Sequence, residues 1–216
     1  MSEKAARRSS LTLLEVGIIL LIAVGLGAYV MHRAKEARRR AVAGVLKAAG
    51  ANIQYGKDQS IIAIDMTAMA EEQIRLKDIG LLTKLSAVNL DHSETIDEHL
   101  QELSHLERLT KLHLVGTAVT DEGCRHLANH HAMRLLDLRA NCISDAGLTE
   151  LSELTKLVDL RLAQTWITDA GLKSLAGMQK LEMLDLSHSD ITDEGLQHLH
   201  RRTTILMQLL PAGATS

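Results

Sequence analysis

The feature that most constrains this chain is a period. Short apolar triplets with a polar residue in the middle stand at 88–90 (VNL), 112–114 (LHL), 136–138 (LDL), 160–162 (LRL) and 184–186 (LDL), at intervals of 24 residues. Ile64-Asp65-Met66 falls on the same grid one step earlier. Three more columns keep step: Leu76, Leu100, Cys124, Leu148, Leu172, Leu196; Ile79, Leu103, Leu127, Leu151, Leu175, Leu199; and Leu85, Leu109, Met133, Leu157, Leu181. A fixed period of this length means stacked supersecondary units, each unable to bury its apolar face alone. Alternate residues of a strand point the same way, so the outer two residues of each triplet face the core.

The punctuation between triplets is equally regular. It reads Thr120-Asp121-Glu122-Gly123-Cys124, Ser144-Asp145-Ala146-Gly147-Leu148, Thr168-Asp169-Ala170-Gly171-Leu172 and Thr192-Asp193-Glu194-Gly195-Leu196. Earlier copies depart from it: Ile96-Asp97-Glu98-His99-Leu100 keeps the Asp and loses the Gly, and Gln73 replaces the Asp one step before. Residues 61–210 resemble a leucine-rich-repeat solenoid. The Thr/Ser-Asp-x-Gly-Leu pattern resembles the ribonuclease-inhibitor-like, F-box-associated branch and its bacterial relatives. The resemblance implies an α/β solenoid with short parallel strands on the concave side and helices on the convex side. Thr120, Ser144, Thr168 and Thr192 suit helix N-caps, and the Asp that follows suits the positive helix end. Ser93, Thr117, Asn141, Thr165 and Ser189 are placed to satisfy backbone groups where each strand turns away.

In that architecture the residue between the core positions and its alternates form the concave face. The central column is Asp65, Asn89, His113, Asp137, Arg161, Asp185; one flank is Thr67, Asp91, Val115, Arg139, Ala163, Ser187; the other is Ala63, Ala87, Lys111, Leu135, Asp159, Met183. Strands about 4.8 Å apart predict a solvated charge ladder through Asp137, Arg161 and Asp185, worth about 0–1 kcal/mol per pair. The expected protein-binding residues are Lys111, His113, Leu135, Arg139, Arg161 and Met183. Changing Arg139 and Arg161 to Glu is then expected to weaken an acidic partner without unfolding the domain. Trp166, the single tryptophan, is expected to cover the adjacent coil, with a binding anchor as the other reading.

Ahead of the repeats, residues 11–31 (LTLLEVGIILLIAVGLGAYVM) carry one charge, Glu15. As a helix they span about 31 Å, the hydrocarbon thickness of a bilayer. Lys4, Arg7 and Arg8 precede them; Arg33, Lys35, Arg38, Arg39 and Arg40 follow. These features predict a single-pass transmembrane helix at 11–31, after a basic tail at 1–10. Orientation stays open: counting Lys/Arg puts the C-terminal side in the cytoplasm, whereas short basic N-terminal tails commonly stay inside. Ser10-Leu11-Thr12-Leu13-Leu14-Glu15-Val16 resembles a type IV prepilin cleavage region, with Glu15 fifth after a cut before Leu11 and Ser10 where that family has Gly. Residues 32–60 are expected to form a juxtamembrane helix ending near Gly50 and a capping strand at 52–55, followed by a turn into a strand at 61–66.

At the other end, 205–210 (ILMQLL) is expected to be the last strand, with Met207 and Leu209 inward after a 23-residue step, and 211–216 a tail. With no polar cap after Pro211, weak self-association through the C-terminal coil is expected.

Composition excludes several classes. Phe is absent, so the core must be aliphatic. The formal charge of −3 argues against nucleic acid as a partner. It is unevenly spread, since residues 1–60 hold ten Lys/Arg against four Asp/Glu. Cys124 sits in a core column and Cys142 in another, so neither a disulfide nor a zinc site is expected. His126, His130 and His131 lack a third well-placed ligand, so no metal or other cofactor is expected. No P-loop, G-x-G-x-x-G, G-x-S-x-G or H-E-x-x-H is present, and the acids recur with the repeat, so no enzyme activity is expected. The function expected is a membrane-anchored scaffold for protein–protein interaction. The alternatives are a pilin-like subunit assembled through its N-terminal helix and a substrate-adaptor-like recognition subunit.

Overall fold

A computed structural model describes residues 13–67, 79–199 and 204–206, without the side chains of 13–23, 205 and 206. The chain falls into two units, Met1–Ala41 and Val42–Ser216. The first contributes most of a helix, α1 (Leu13–Ala48), of 36 residues. Its side chains from Val24 to Lys35 are exposed, Leu26, Tyr29 and Met31 among them. Among the described residues no helix is long and apolar enough to cross a membrane. The expected span at 11–31 lies partly outside those residues, since side chains are described only from Val24. The prepilin-like junction between Ser10 and Leu11, the basic tail at 1–10 and the tail at 211–216 lie wholly outside them.

The second unit is built on one eight-stranded sheet in sequential order. The strands are β1 (Asn52–Tyr55), β2 (Ile61–Asp65), β3 (Ala87–Asn89), β4 (Lys111–His113), β5 (Leu135–Asp137), β6 (Asp159–Arg161), β7 (Met183–Asp185) and β8 (Thr204–Leu206). β1 pairs antiparallel with β2, and every later pairing is parallel. From β2 to β7 the register advances one repeat per strand: Ile64 opposes Val88, then Leu112, Leu136, Leu160 and Leu184. From β3 onward each coil returns through a short helix: α2 (Asp97–Gln101), α3 (Asp121–Leu127), α4 (Asp145–Glu150), α5 (Asp169–Leu172) and α6 (Asp193–Leu196). Between helices and strands lies an aliphatic core in which Leu100, Leu112, Leu136, Leu148, Leu160, Leu172 and Leu184 are completely buried. Val42, Ala43 and Leu46, on the last turns of α1, close its N-terminal end with Ile53 of β1. Gly50, at φ 98°, ends that helix in the left-handed region where a glycine has no steric penalty.

Side chains fasten coil to coil as the strand-end column requires. Asn141 Nδ2 donates across to the Leu114 carbonyl of the preceding coil at 2.6 Å and to Leu138 of its own coil at 3.0 Å, while Thr165 Oγ1 closes the turn of its own coil by donating to the Leu162 carbonyl at 2.5 Å. His130 replaces a core leucine and is buried; its ring nitrogens lie 3.2 Å from the Leu127 carbonyl and 3.0 Å from that of Leu103, so it bridges two coils. That contact explains the histidine better than metal binding. Among the described residues no three His, Cys, Asp or Glu side chains could hold a metal ion.

The last coil corrects the sequence reading. Ile205 opposes Leu184, a step of 21 residues where 23 was expected, and the expected inward residues Met207 and Leu209 lie outside the described residues. The earlier coils carry an apolar pair before each strand, such as Met178 and Leu181, both buried. In the sequence Arg202 stands where the 24-residue period would put an apolar residue equivalent to Met178.

Candidate functional site: the concave face of the sheet

Because strands β3 to β8 are three residues long, each offers the open face only its two end positions and their neighbours. The charged centre of the face is not the expected solvated ladder. Asp137 is completely buried. It accepts hydrogen bonds from Arg139 Nε and Nη2, both at 2.8 Å, and from Arg161 Nη1 at 3.4 Å. Arg161 turns chiefly to Asp159, with Nη2 2.7 Å from Oδ2 and Nε 3.1 Å from Oδ1. His113 Nδ1 stands 3.8 Å from Asp137 Oδ2. Asp185, the expected third rung, instead accepts the Ser187 backbone N–H at 3.0 Å. Hydrogen bonding to Asp137 raises the Arg139 guanidinium pKa above its ordinary value, and bonding to Asp159 does the same for Arg161.

Sequence reasoning placed these residues on one face but missed who pairs with whom. A signal was available. Asp137-Leu138-Arg139 and Asp159-Leu160-Arg161 both read D-x-R, and residues two apart on a strand share a face. The pairing changes what the arginines can do, since two carboxylates already balance their two charges.

Beside this cluster, toward the N-terminal end, the face sinks into a hollow of about 150 Å³. Its depth comes from small residues, Ala63 and Ala87, at the positions that carry Leu135 and Met183 in later coils. Gln54, Asn52, Lys111 and His113 also line it. Lys111 is exposed and has no acidic partner within ion-pair distance among the described residues. Of the other expected contacts, Leu135 is half-buried and Met183 is 40% exposed.

A second ladder lies along the loops that follow the strands. Isolated parallel bridges join Thr120 to Cys142, Ser144 to Trp166 and Thr168 to Asp190. Cys142, Trp166 and Asp190 therefore form an outward column. Trp166 is 68% exposed, which overturns the expectation that it covers the neighbouring coil. The alternation puts Ile143 and Ile167 in the core and turns their neighbours outward.

Residues 105–128, 129–152, 153–176 and 177–199 match the leucine-rich repeat family in four consecutive copies. No curated protein matches the sequence. Among solved structures the solenoid resembles an internalin, inlF, from Listeria monocytogenes, at 22% identity and a TM-score of 0.54, over 62% of this chain and 37% of that one. It also resembles internalin C2 from the same organism, at 25% identity and a TM-score of 0.53, over 61% of this chain and 55% of that one. The chain thus spans about a third to a half of the two internalins. A pollen receptor kinase 3 structure is similar at 17% identity and a TM-score of 0.51, covering 72% of this chain and 76% of that one.

The two cysteines of the repeats behave differently. Both are free thiols; Cys124 is buried and Cys142 exposed. Burial, with Asp121 and Asp97 nearby, pushes the Cys124 thiol far above its ordinary value. In the native protein an alkylating reagent should therefore modify Cys142 alone, and Cys124 only after denaturant is added. Mass spectrometry of peptides from each condition checks this; native labelling of Cys124 would contradict the buried assignment.

Proposed function

We propose that this chain is a membrane-anchored leucine-rich-repeat scaffold that binds a protein partner over its concave face. The observation that carries the binding part is the division of that face. Arg139 and Arg161 are held by Asp137 and Asp159, while Lys111 and His113 line the hollow and Leu135 and Met183 extend the same face along later strands. An unpaired cation beside aliphatic surface supplies steering and apolar burial together. Exposed Trp166 adds an aromatic anchor of the kind that concentrates binding energy. A receptor kinase is among the proteins that share the fold.

Anchoring rests on the composition of 11–31 and on the exposed apolar side chains of α1, with Val24, Leu26, Tyr29, Val30 and Met31 all more than half exposed. Nothing described in the chain covers them, and a bilayer would.

Proximity labelling with the full-length chain tests the binding reading. A variant carrying Lys111→Glu and Met183→Glu should lose a defined set of labelled proteins by about ten-fold, the effect of removing one or two interface contacts. Both positions are exposed, so the variant should stay folded. Identical labelling by the two proteins would remove this face from consideration.

A further inference from the structure

We propose that residues 32–41 form a basic collar that gathers anionic phospholipid headgroups around α1 on the C-terminal side of the span. This rests on the membrane-anchored reading above. The segment, HRAKEARRRA, is helical throughout and contains no large apolar side chain. Arg33, Lys35, Arg38 and Arg40 are exposed, and Arg39 is half-buried. The single acid, Glu36, lies against His32, with Nε2 3.3 Å from Oε1.

The angular placement of the cations decides the kind of surface they fit. At about 100° per residue, with Arg33 at zero, Arg38 falls near 140°, Lys35 near 200°, Arg39 near 240° and Arg40 near 340°. The cations spread over about 220° of the helix, and the remaining strip holds only Ala34, Ala37 and Ala41. A helix lying flat on a membrane needs a large apolar face opposite a charged one, and the strip here holds nothing bigger than alanine. A helix docked on an acidic protein would gather its cations on one side. Charge on most of the circumference suits a helix rising out of a bilayer with headgroups around it.

Two further facts favour this flank over the N-terminal tail. Side chains on an α-helix lean toward its N-terminus, so those following the span lean back toward the bilayer. Arg33 and Lys35 rise only about 3 and 6 Å beyond Met31, within the headgroup layer. Arg38, Arg39 and Arg40 stand farther out, and long arginine stems bring their guanidinium groups back toward the same layer.

The test uses the full chain reconstituted into bilayers of phosphatidylcholine containing trace spin-labelled lipid. Spin-labelled phosphatidylglycerol should show a relative association with the protein about five-fold above spin-labelled phosphatidylcholine, the attraction of about one basic side chain. The preference should fall close to unity in 1 M salt, where screening acts within about 3 Å. It should fall equally in the variant Arg33→Gln, Lys35→Gln, Arg38→Gln, Arg40→Gln, and persist in Lys4→Gln, Arg7→Gln, Arg8→Gln. An immobilised lipid component without a preference for the anionic lipid would overturn the collar and leave the anchor standing. A preference that survives in the first variant would overturn it as well. No immobilised component from either lipid would instead defeat the anchored reading.

Discussion

Replacing Arg139 and Arg161 together by glutamate should unfold the repeats, where a solvated ladder would have tolerated the change. The reason is an asymmetry of burial. The arginine side chains keep about a third of their surface in water (37% and 30%), whereas the Asp137 side chain keeps none. Removing the arginines strands a desolvated carboxylate, and the new glutamates set two further negative charges beside it and Asp159. Deleting one partner of a buried pair costs about 3–5 kcal/mol, and a typical domain is stable by about 5–15 kcal/mol in all. Loss of about 5 kcal/mol or more is expected, read as a collapse of the urea midpoint or loss of the far-ultraviolet spectrum at room temperature. The reverse deletion, Asp137→Asn, should be milder, because freed arginines can turn to solvent. A double-glutamate protein that unfolds within about 1 kcal/mol of the parent would show that Asp137 does not depend on them.

This result separates what could be read in the sequence from what could not. The 24-residue period placed every strand from β2 to β7 in register, because core leucines at fixed spacing leave a coil only one way to stack on the next. It failed at β8, where Ile205 opposes Leu184 after a step of 21 residues. It also could not show the turn that follows each strand. His92, Ala140, Gln164 and His188 take left-handed φ of 55–60° where only Gly116 is a glycine. The cause is external: the amide N–H of each of His92, Gly116, Ala140 and Gln164 donates to a carbonyl of the following coil, as Ala140 does to Ala163 at 2.9 Å. Backbone geometry imposed by a neighbouring coil leaves no mark on residue type. The face was likewise legible as a set of columns and illegible as a set of pairs. An arginine long enough to reach several acids chooses by local geometry, and here the D-x-R neighbour won.

Changing Gly171 to alanine should cost about 3 kcal/mol, and the cause lies one coil away. A Cβ at Gly171 would sit 2.2 Å from Asp145 Oδ1 and 2.8 Å from its carboxyl carbon. Asp145 is fixed there because it accepts from Thr168 N at 2.8 Å and Thr168 Oγ1 at 2.7 Å. The same staple joins Asp97 to Thr120, Asp121 to Ser144 and Asp169 to Thr192, so these aspartates are more than complements to a helix end. Each repeat's Asp binds the next repeat's N-cap, and the next repeat's Gly leaves room for it. The three residues are one device spread over two coils. The sequence contains its own control. Where Gln73 replaces the Asp, the next repeat has lost both partners, with Ile96 at the cap and His99 in place of the glycine. His99 Nδ1 then accepts the Ile96 N–H at 3.2 Å, which an aspartate would otherwise take. Overpacking at about 1–3 kcal/mol and the displaced hydrogen bonds together give the expected loss. Asp145→Ala alone should cost about 1–2 kcal/mol, since Thr168 is exposed and water can replace the bonds. The double variant Asp145→Ala/Gly171→Ala should be no worse than Asp145→Ala, because the clash is gone and alanine favours the helix over glycine by up to about 1 kcal/mol. Denaturant melts of the four proteins measure the coupling, expected at about 3 kcal/mol; losses that simply add would mean that the glycine serves its own turn. Acid probes the same staple. Its bonds to Thr192 hold the Asp169 carboxyl below its ordinary value, so its contribution is present above about pH 4 and fades as pH falls below that.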